Sequence, residues 1–120
     1  MLPAAARMRR RAEFETVVQE GSRAGKPLVS GHLLVRSGDE PARVGFIVSR
    51  RVGPAVVRNK VRRRLRHLAR AYLRSLPGGS LLVLRANPRA ATARQEDLAA
   101  ELDLVIAALL RRQDRARYSG

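Results

Sequence analysis

Val56-Val57-Arg58-Asn59-Lys60-Val61-Arg62-Arg63-Arg64-Leu65-Arg66-His67-Leu68 combines a dense cationic run with a helical apolar period. At about 100° per residue, Val57, Val61, Leu65, Leu68 and Tyr72 share one narrow arc of a helix. Arg58, Arg62, Arg66, Arg70 and Arg74 recur every fourth residue beside that arc, with Asn59, Lys60 and Arg63 further round. One side can be buried, and the rest is cation. Like charges at this spacing repel one another along an isolated helix. A polyanionic partner reverses the sign of that effect. A solvated face of mixed charge would need acids as well as bases. None is present: no Asp or Glu occurs between Pro41 and Gln95, whereas Arg50 to Arg74 carries ten Lys or Arg.

The apolar arc needs something to pack on, and the flanking sequence supplies it. Upstream, Val52-Gly53-Pro54 marks a loop, with Pro54 at the favoured first position of the helix. Downstream, Pro77-Gly78-Gly79 stops the helix after about Leu76. Leu28 to Val35 is apolar with partial alternation, Ser37 to Pro41 is a polar turn, and Arg43 to Ser49 places Val44, Phe46 and Val48 on one face. The two runs read as a hairpin of antiparallel strands. His32 projects with Ser30 and Leu34 and reads as a sheet-surface histidine rather than a ligand, since the other histidine, His67, is distant in the chain. Leu81 to Ala86 is an apolar run bounded by turn signals, as expected of a central strand covered on both faces.

Towards the ends, Arg10 to Glu20 carries Phe14, Val17 and Val18 at helical spacing, with Gly21 as its stop. Residues 1 to 9 read as a loosely ordered basic arm. Near the other end, Thr92 and Gln95 stand at capping-box spacing. Leu98, Leu102, Val105, Ile106 and Leu109 then follow a clear amphipathic period. The acids Glu96, Asp97, Glu101 and Asp103 keep this last helix off a polyanion and assign it to scaffolding. The order helix, strands, helix, strand, helix gives a small α+β two-layer sandwich in one domain spanning residues 1–120.

Composition narrows the function. A net charge of +15 on 120 residues implies strong, salt-sensitive affinity for nucleic acid. A membrane surface fits less well, because the apolar arc of the basic helix is needed for a core. Cysteine is absent, which removes disulfides and thiol metal sites. No secretory or membrane-spanning run is apparent, so a cytoplasmic location is expected. Four aromatic residues, Phe14, Phe46, Tyr72 and Tyr118, make poor provision for stacking many unpaired bases. Paired carboxylates, a nucleophile elbow and a metal-ligating set are all lacking, so catalytic residues are expected to be none. A DNA reader is disfavoured as well, because nearly every exposed position of the basic helix is Arg, which positions on phosphates rather than reads bases.

Ser49-Arg50-Arg51-Val52-Gly53-Pro54-Ala55-Val56-Val57-Arg58-Asn59-Lys60-Val61-Arg62-Arg63-Arg64-Leu65-Arg66 resembles the signature of the protein component of bacterial ribonuclease P. That family shows a basic pair, a V-G-x-A-V loop and an R-N-[RKQ]-h-[KR]-R-x-[hL]-R helix, where h is apolar. The resemblance extends to Phe14, Val17 and Gly21, to Arg43-Val44-Gly45-Phe46 and to Leu81 to Pro88. It implies a ribosomal-protein-S5-domain-2-like fold with an unusual left-handed βαβ crossover. It also implies an accessory subunit of an endoribonuclease, in which a catalytic RNA with its own bound magnesium matures the 5′ end of tRNA. Arg58, Asn59, Lys60, Arg62, Arg63, Arg66 and Arg70 would contact the RNA subunit. Phe14, Val18, His32, Ile47, Arg50 and Arg51 would form a cleft for the single-stranded 5′ leader of precursor tRNA. Val18 and His32 occupy positions that are often aromatic in the family, so this cleft would rely less on stacking. The alternative is a ribosomal or other structural RNA-binding protein, which would share the charge and the small α+β fold.

Overall fold

The computed structural model describes the backbone of residues 2–119 and the side chains of residues 2–115. Its centre is the apolar run near residue 80. Four strands, β1 (Ser22–Gly25), β2 (Val29–Val35), β3 (Arg43–Ile47) and β4 (Ser80–Ala86), form one sheet in the order β1-β2-β4-β3. Three helices, α1 (Arg11–Glu20), α2 (Ala55–Ala69) and α3 (Gln95–Ser119), complete the α+β fold.

β4 lies between β2 and β3, antiparallel to the first and parallel to the second. This corrects the expected hairpin. β2 and β3 are antiparallel in direction but not neighbours, because the most apolar strand takes the centre, where both its faces and both its edges are covered. Every residue of β4 is buried except Arg85. A local pattern of alternation can identify a strand but not its partner. β1 was not expected at all. Ser22-Arg23-Ala24-Gly25 has one buried side chain, Ala24, and is held by its register with Ser30 to Leu33 of β2.

The two faces of the sheet are covered unequally. Val29, Leu33, Val44, Leu82 and Leu84 point to one side and pack on Val61 and Leu65 of α2 and on Leu98, Leu102, Val105, Ile106 and Leu109 of α3. The expected arc of α2 is thus buried at Val61 and Leu65, with Val57, Leu68 and Tyr72 half-buried at its margin. Leu81 and Val83 point to the other side and meet Met8 and Val17, with Phe14, Val18, Leu34 and Ile47 at the edge. α1 therefore adds a partial layer opposite the main two.

α2 ends sooner than expected. It passes at Ala69 into a 3-10 turn over Arg70–Tyr72 rather than running to Leu76. At its start Gly53 adopts φ 152°, which admits glycine far more readily than other residues, and Pro54 immediately precedes the first helical residue. Thr92 ends a 3-10 turn over Pro88–Thr92 and does not cap α3; the N–H of Leu98 reaches back to the carbonyl of Arg94 instead.

Acids of α3 act as scaffolding. Glu101 Oε1 accepts the N–H of Leu28 at 2.8 Å, and Asp103 Oδ1 accepts the hydroxyl of Tyr72 at 3.0 Å. Burial, reinforced by that bond to a carboxylate, pushes the Tyr72 hydroxyl pKa up to about 12. The segment expected as a loose arm carries Leu2, Ala6 and Met8 into buried positions. Its chain runs beside the outer edge of β3, where the N–H of Met8 donates to the carbonyl of Val44 at 2.9 Å.

Candidate nucleic-acid interface

Two cationic concavities have no lining residue in common. The first is built on α2. Because the arc through Val61 and Leu65 is buried, the residues beside it are presented from a fixed helix, and Asn59, Arg62, Arg63, Arg66 and His67 share a concavity of about 520 Å³ with Arg7. Arg62 Nη1 donates to Asn59 Oδ1 at 3.1 Å, which holds both side chains across one turn. Arg7 is fixed in turn, its guanidinium donating to the carbonyl of Leu2 at 3.2 Å. Arg66 Nε is buried with no hydrogen-bond partner. Burial first, then repulsion from Arg7 and Arg62, lowers the Arg66 pKa below its ordinary value. Its charge is under-compensated in the free protein. An acceptor oxygen would satisfy the orphaned donor and relieve the repulsion.

The expected RNA-contacting set is thus divided. Asn59, Arg62, Arg63 and Arg66 come together, whereas Lys60 and Arg70 are exposed outside this concavity. Arg58 is half-buried, and its Nε donates to the carbonyl of Gly53 at 3.1 Å, so it also secures the glycine loop. Arg64, in the same run, has a different task. Its guanidinium donates to Gln95 Oε1 at 2.7 Å and to the carbonyl of Ala93 at 2.6 Å, tying α2 to the start of α3. Arg7 was not singled out by sequence reasoning, because its place beside α2 depends on the course of the chain along β3.

The second concavity lies where α1 leaves the sheet uncovered. Arg9, Arg11, Phe14, Glu15, Val18, Gln19, Phe46, Ile47 and Arg85 line a cleft of about 560 Å³. Of the expected cleft residues it gathers Phe14, Val18 and Ile47. Arg50 and Arg51 are exposed in the turn after β3 and do not line it. His32 lies in the sheet as expected, but it is 6% exposed, and its Nδ1 is buried without a partner. Burial, with the nearby charges of Arg23 and Arg85, holds the His32 pKa below the usual histidine range, so the ring is neutral at pH 7. Arg9, Arg11 and Arg85 were missed. For Arg85 a signal existed, a single charge within an otherwise apolar strand.

α1 is fixed over this cleft by an ion pair. Arg43 Nη2 meets Glu13 Oε2 at 2.6 Å, and Nη1 meets Oε1 at 3.1 Å. The paired guanidinium holds the Glu13 carboxyl below its ordinary range.

A basic α+β domain with one cationic concavity on a packed helix and another beside an aromatic-edged sheet is, as a class, an RNA-binding protein of fixed shape. Comparison with known proteins makes this specific. The family model described as Ribonuclease P matches residues 2–110. A Ribonuclease P protein component of Thermobifida fusca is 48% identical, over 98% of this chain and 85% of its own. One from a Nocardioides species is 52% identical, over 86% of this chain and 90% of its own. The chain belongs to the ribonuclease P protein family, and its role is that of a protein subunit of ribonuclease P. The fold agrees. The RNase P protein of Staphylococcus aureus superposes with a TM-score of 0.77 at 21% identity, covering 87% of this chain and 94% of the other. That of Thermotoga maritima gives 0.71 at 23% identity, covering 88% and 96%. The alternative of a ribosomal protein gives way to this family.

Proposed function

We propose that the chain binds the RNA subunit of ribonuclease P through the α2 concavity and receives the 5′ leader of precursor tRNA in the cleft beside α1. The observation that carries this reading is that the two cationic concavities share no lining residue, one being built on α2 and the other beside α1. A single rigid body with two such surfaces can hold two RNA segments at once. Arg62, Arg63, Arg66, Asn59 and Arg7 would take phosphates of the RNA subunit, with Arg58, Lys60 and Arg70 on its margin. Phe14, Val18 and Ile47 offer an apolar edge for unpaired bases, and Arg9, Arg11 and Arg85 offer charge to the leader backbone. His32 is buried near Arg85 and does not line the cleft, and Arg50 and Arg51 extend the basic surface past the end of β3.

Cleavage is assigned to the RNA, with magnesium held there. Supporting this, the charged groups that this chain contributes to its two concavities are chiefly guanidiniums, which keep their protons at neutral pH and bind phosphates rather than shuttle protons. A subunit of net charge +15 lowers the repulsion between two polyanions. Because mature tRNA has lost the leader, a leader site also favours substrate over product. Among the described residues no helix is long and apolar enough to cross a membrane, and a cytoplasmic site of action fits this reading. The test is reconstitution with a bacterial ribonuclease P RNA at low magnesium. The holoenzyme is expected to cleave precursor tRNA faster than the RNA alone, and the protein by itself to cleave nothing. Absence of stimulation would sink the proposal.

A further inference from the structure

We infer that the Glu13–Arg43 ion pair, together with the bare backbone of Gly45 beneath Phe14, is a positioning device that sets the width of the substrate cleft. This rests on the reading of the cleft given above. Glu13 and Phe14 are consecutive in the first turn of α1, and Arg43 and Gly45 are alternate residues of β3 on one face of the sheet. The Arg43 and Glu13 side chains are 29% and 17% exposed, and their two-point contact fixes the angle of approach as well as the distance. One residue further on, the Phe14 ring occupies the space that a side chain at residue 45 would need; a Cβ there would overlap the ring and lie 3.1 Å from Met8 Cβ. The ring can therefore lie against the strand because residue 45 is glycine.

Both anchors act at the same end of a short helix. α1 has ten residues, about 15 Å at 1.5 Å per residue, and its remaining buried contact is Val17. A small tilt about the first turn displaces Val18 and Gln19, which form the cleft wall opposite Ile47 and Arg85. The sign of the charge matters too. An acid next to the path of a polyanion weakens its attraction. Paired at two points with Arg43, Glu13 holds the helix without presenting a free negative charge. The Arg11–Glu15 pair is different, being exposed and confined to α1, and it fixes nothing across elements.

The test uses holoenzyme reconstituted with a bacterial ribonuclease P RNA. It reads affinity for precursor tRNA, affinity for mature tRNA, the cleavage rate at saturating precursor, and affinity for the RNA subunit. Glu13→Gln is expected to lower the precursor-to-mature affinity ratio roughly five- to thirtyfold, leaving the saturated rate and RNA-subunit affinity unchanged. Gly45→Ala, which keeps the ion pair but displaces the ring, is expected to lower the same ratio. The exchanged pair Glu13→Arg with Arg43→Glu should restore most of it. If Phe14→Ala leaves the ratio intact, the cleft reading itself fails. If Phe14→Ala lowers the ratio but Glu13→Gln does not, the positioning inference alone is overturned. It is equally overturned if Glu13→Gln weakens RNA-subunit binding in parallel and the exchanged pair rescues neither.

Discussion

The two faces of the β-sheet differ in almost every physical respect. Under α2 and α3 the sheet contributes Val29, Leu33, Val44, Leu82 and Leu84 to a continuous dry core. Under α1 the buried cluster is Met8, Val17, Leu81 and Val83, and beyond it the sheet opens into a cleft edged by Phe14, Ile47 and Arg85. β4 shows the contrast within seven residues: Leu82, Leu84 and Ala86 are sealed on one side, while Leu81 and Val83 give way to exposed Arg85 on the other. Stability and access are thus assigned to opposite faces of one strand. The cationic helix α2 belongs to the stable face, which is why its arginines are held in a set geometry.

Substitutions can break this division or sharpen it. The largest effect is expected on the dry face. Leu65→Ala should lower stability by about 2–5 kcal/mol, measured by urea unfolding, because Leu65 is fully buried. Phe14→Ala should cost less stability than Leu65→Ala and instead weaken precursor binding relative to mature tRNA by about 1–3 kcal/mol, the scale of one base–aromatic stack. Equal stability losses from both would erase the proposed contrast. On α2, Arg62→Ala should reduce the salt dependence of RNA-subunit binding by roughly one unit of slope. Arg64→Ala should leave that slope nearly unchanged and cost about 1 kcal/mol of stability through its lost hydrogen bonds. Identical slopes for the two variants would show that the helix face has been misassigned.

The smallest effect is with pH. His32 has its pKa lowered by burial, so the folded state prefers the neutral ring. Above the ordinary value of 6.5 both states are neutral and the group contributes no pH dependence. As pH falls below 6.5 the unfolded chain takes up the proton first, and stability declines. Glu13, also lowered, adds its own loss only below its ordinary value of 4.5, as the pair with Arg43 is protonated. Thermal midpoints recorded from pH 7 downward should therefore fall in two stages, and His32→Gln should flatten the first. An unchanged first stage in that variant would assign it to another group.

What the sequence disclosed follows from how local each signal is. The buried arc of α2 and the apolar run of β4 are properties of consecutive residues, and both were legible. The position of β3 was not, since strand pairing is decided by the whole sheet and β4 competes successfully for both neighbours. β1 escaped notice because Ser22-Arg23-Ala24-Gly25 has no apolar pattern and owes its conformation to β2. Thr92 and Gln95 matched a capping spacing, but the chain around Pro88 forms a 3-10 turn there. In the α2 concavity, Asn59, Arg62, Arg63 and Arg66 were readable from helical periodicity; Arg7 was not, because it arrives from another part of the chain. In the cleft, Phe14, Val18 and Ile47 were named through the family resemblance, and Arg85 carried a signal as the lone charge of an apolar strand, whereas Arg9 and Arg11 emerge only when α1 is seen to stop short of covering the sheet.

The central place of β4 also bears on how the chain acquires its shape during synthesis. Its partners Val29–Val35 and Arg43–Ile47 leave the ribosome first and must wait for Ser80–Ala86. Until then, of these four strands, β1 and β2 alone can pair with each other, and a two-stranded ribbon is marginal in water. The residues of α3 that seal the dry face emerge later still. Folding is therefore a late event dominated by contacts distant in sequence, which makes it slow relative to a helical bundle of the same size. During that interval the arginines of α2 are carried on a chain without tertiary support, and an RNA that binds the folded form draws the population towards it.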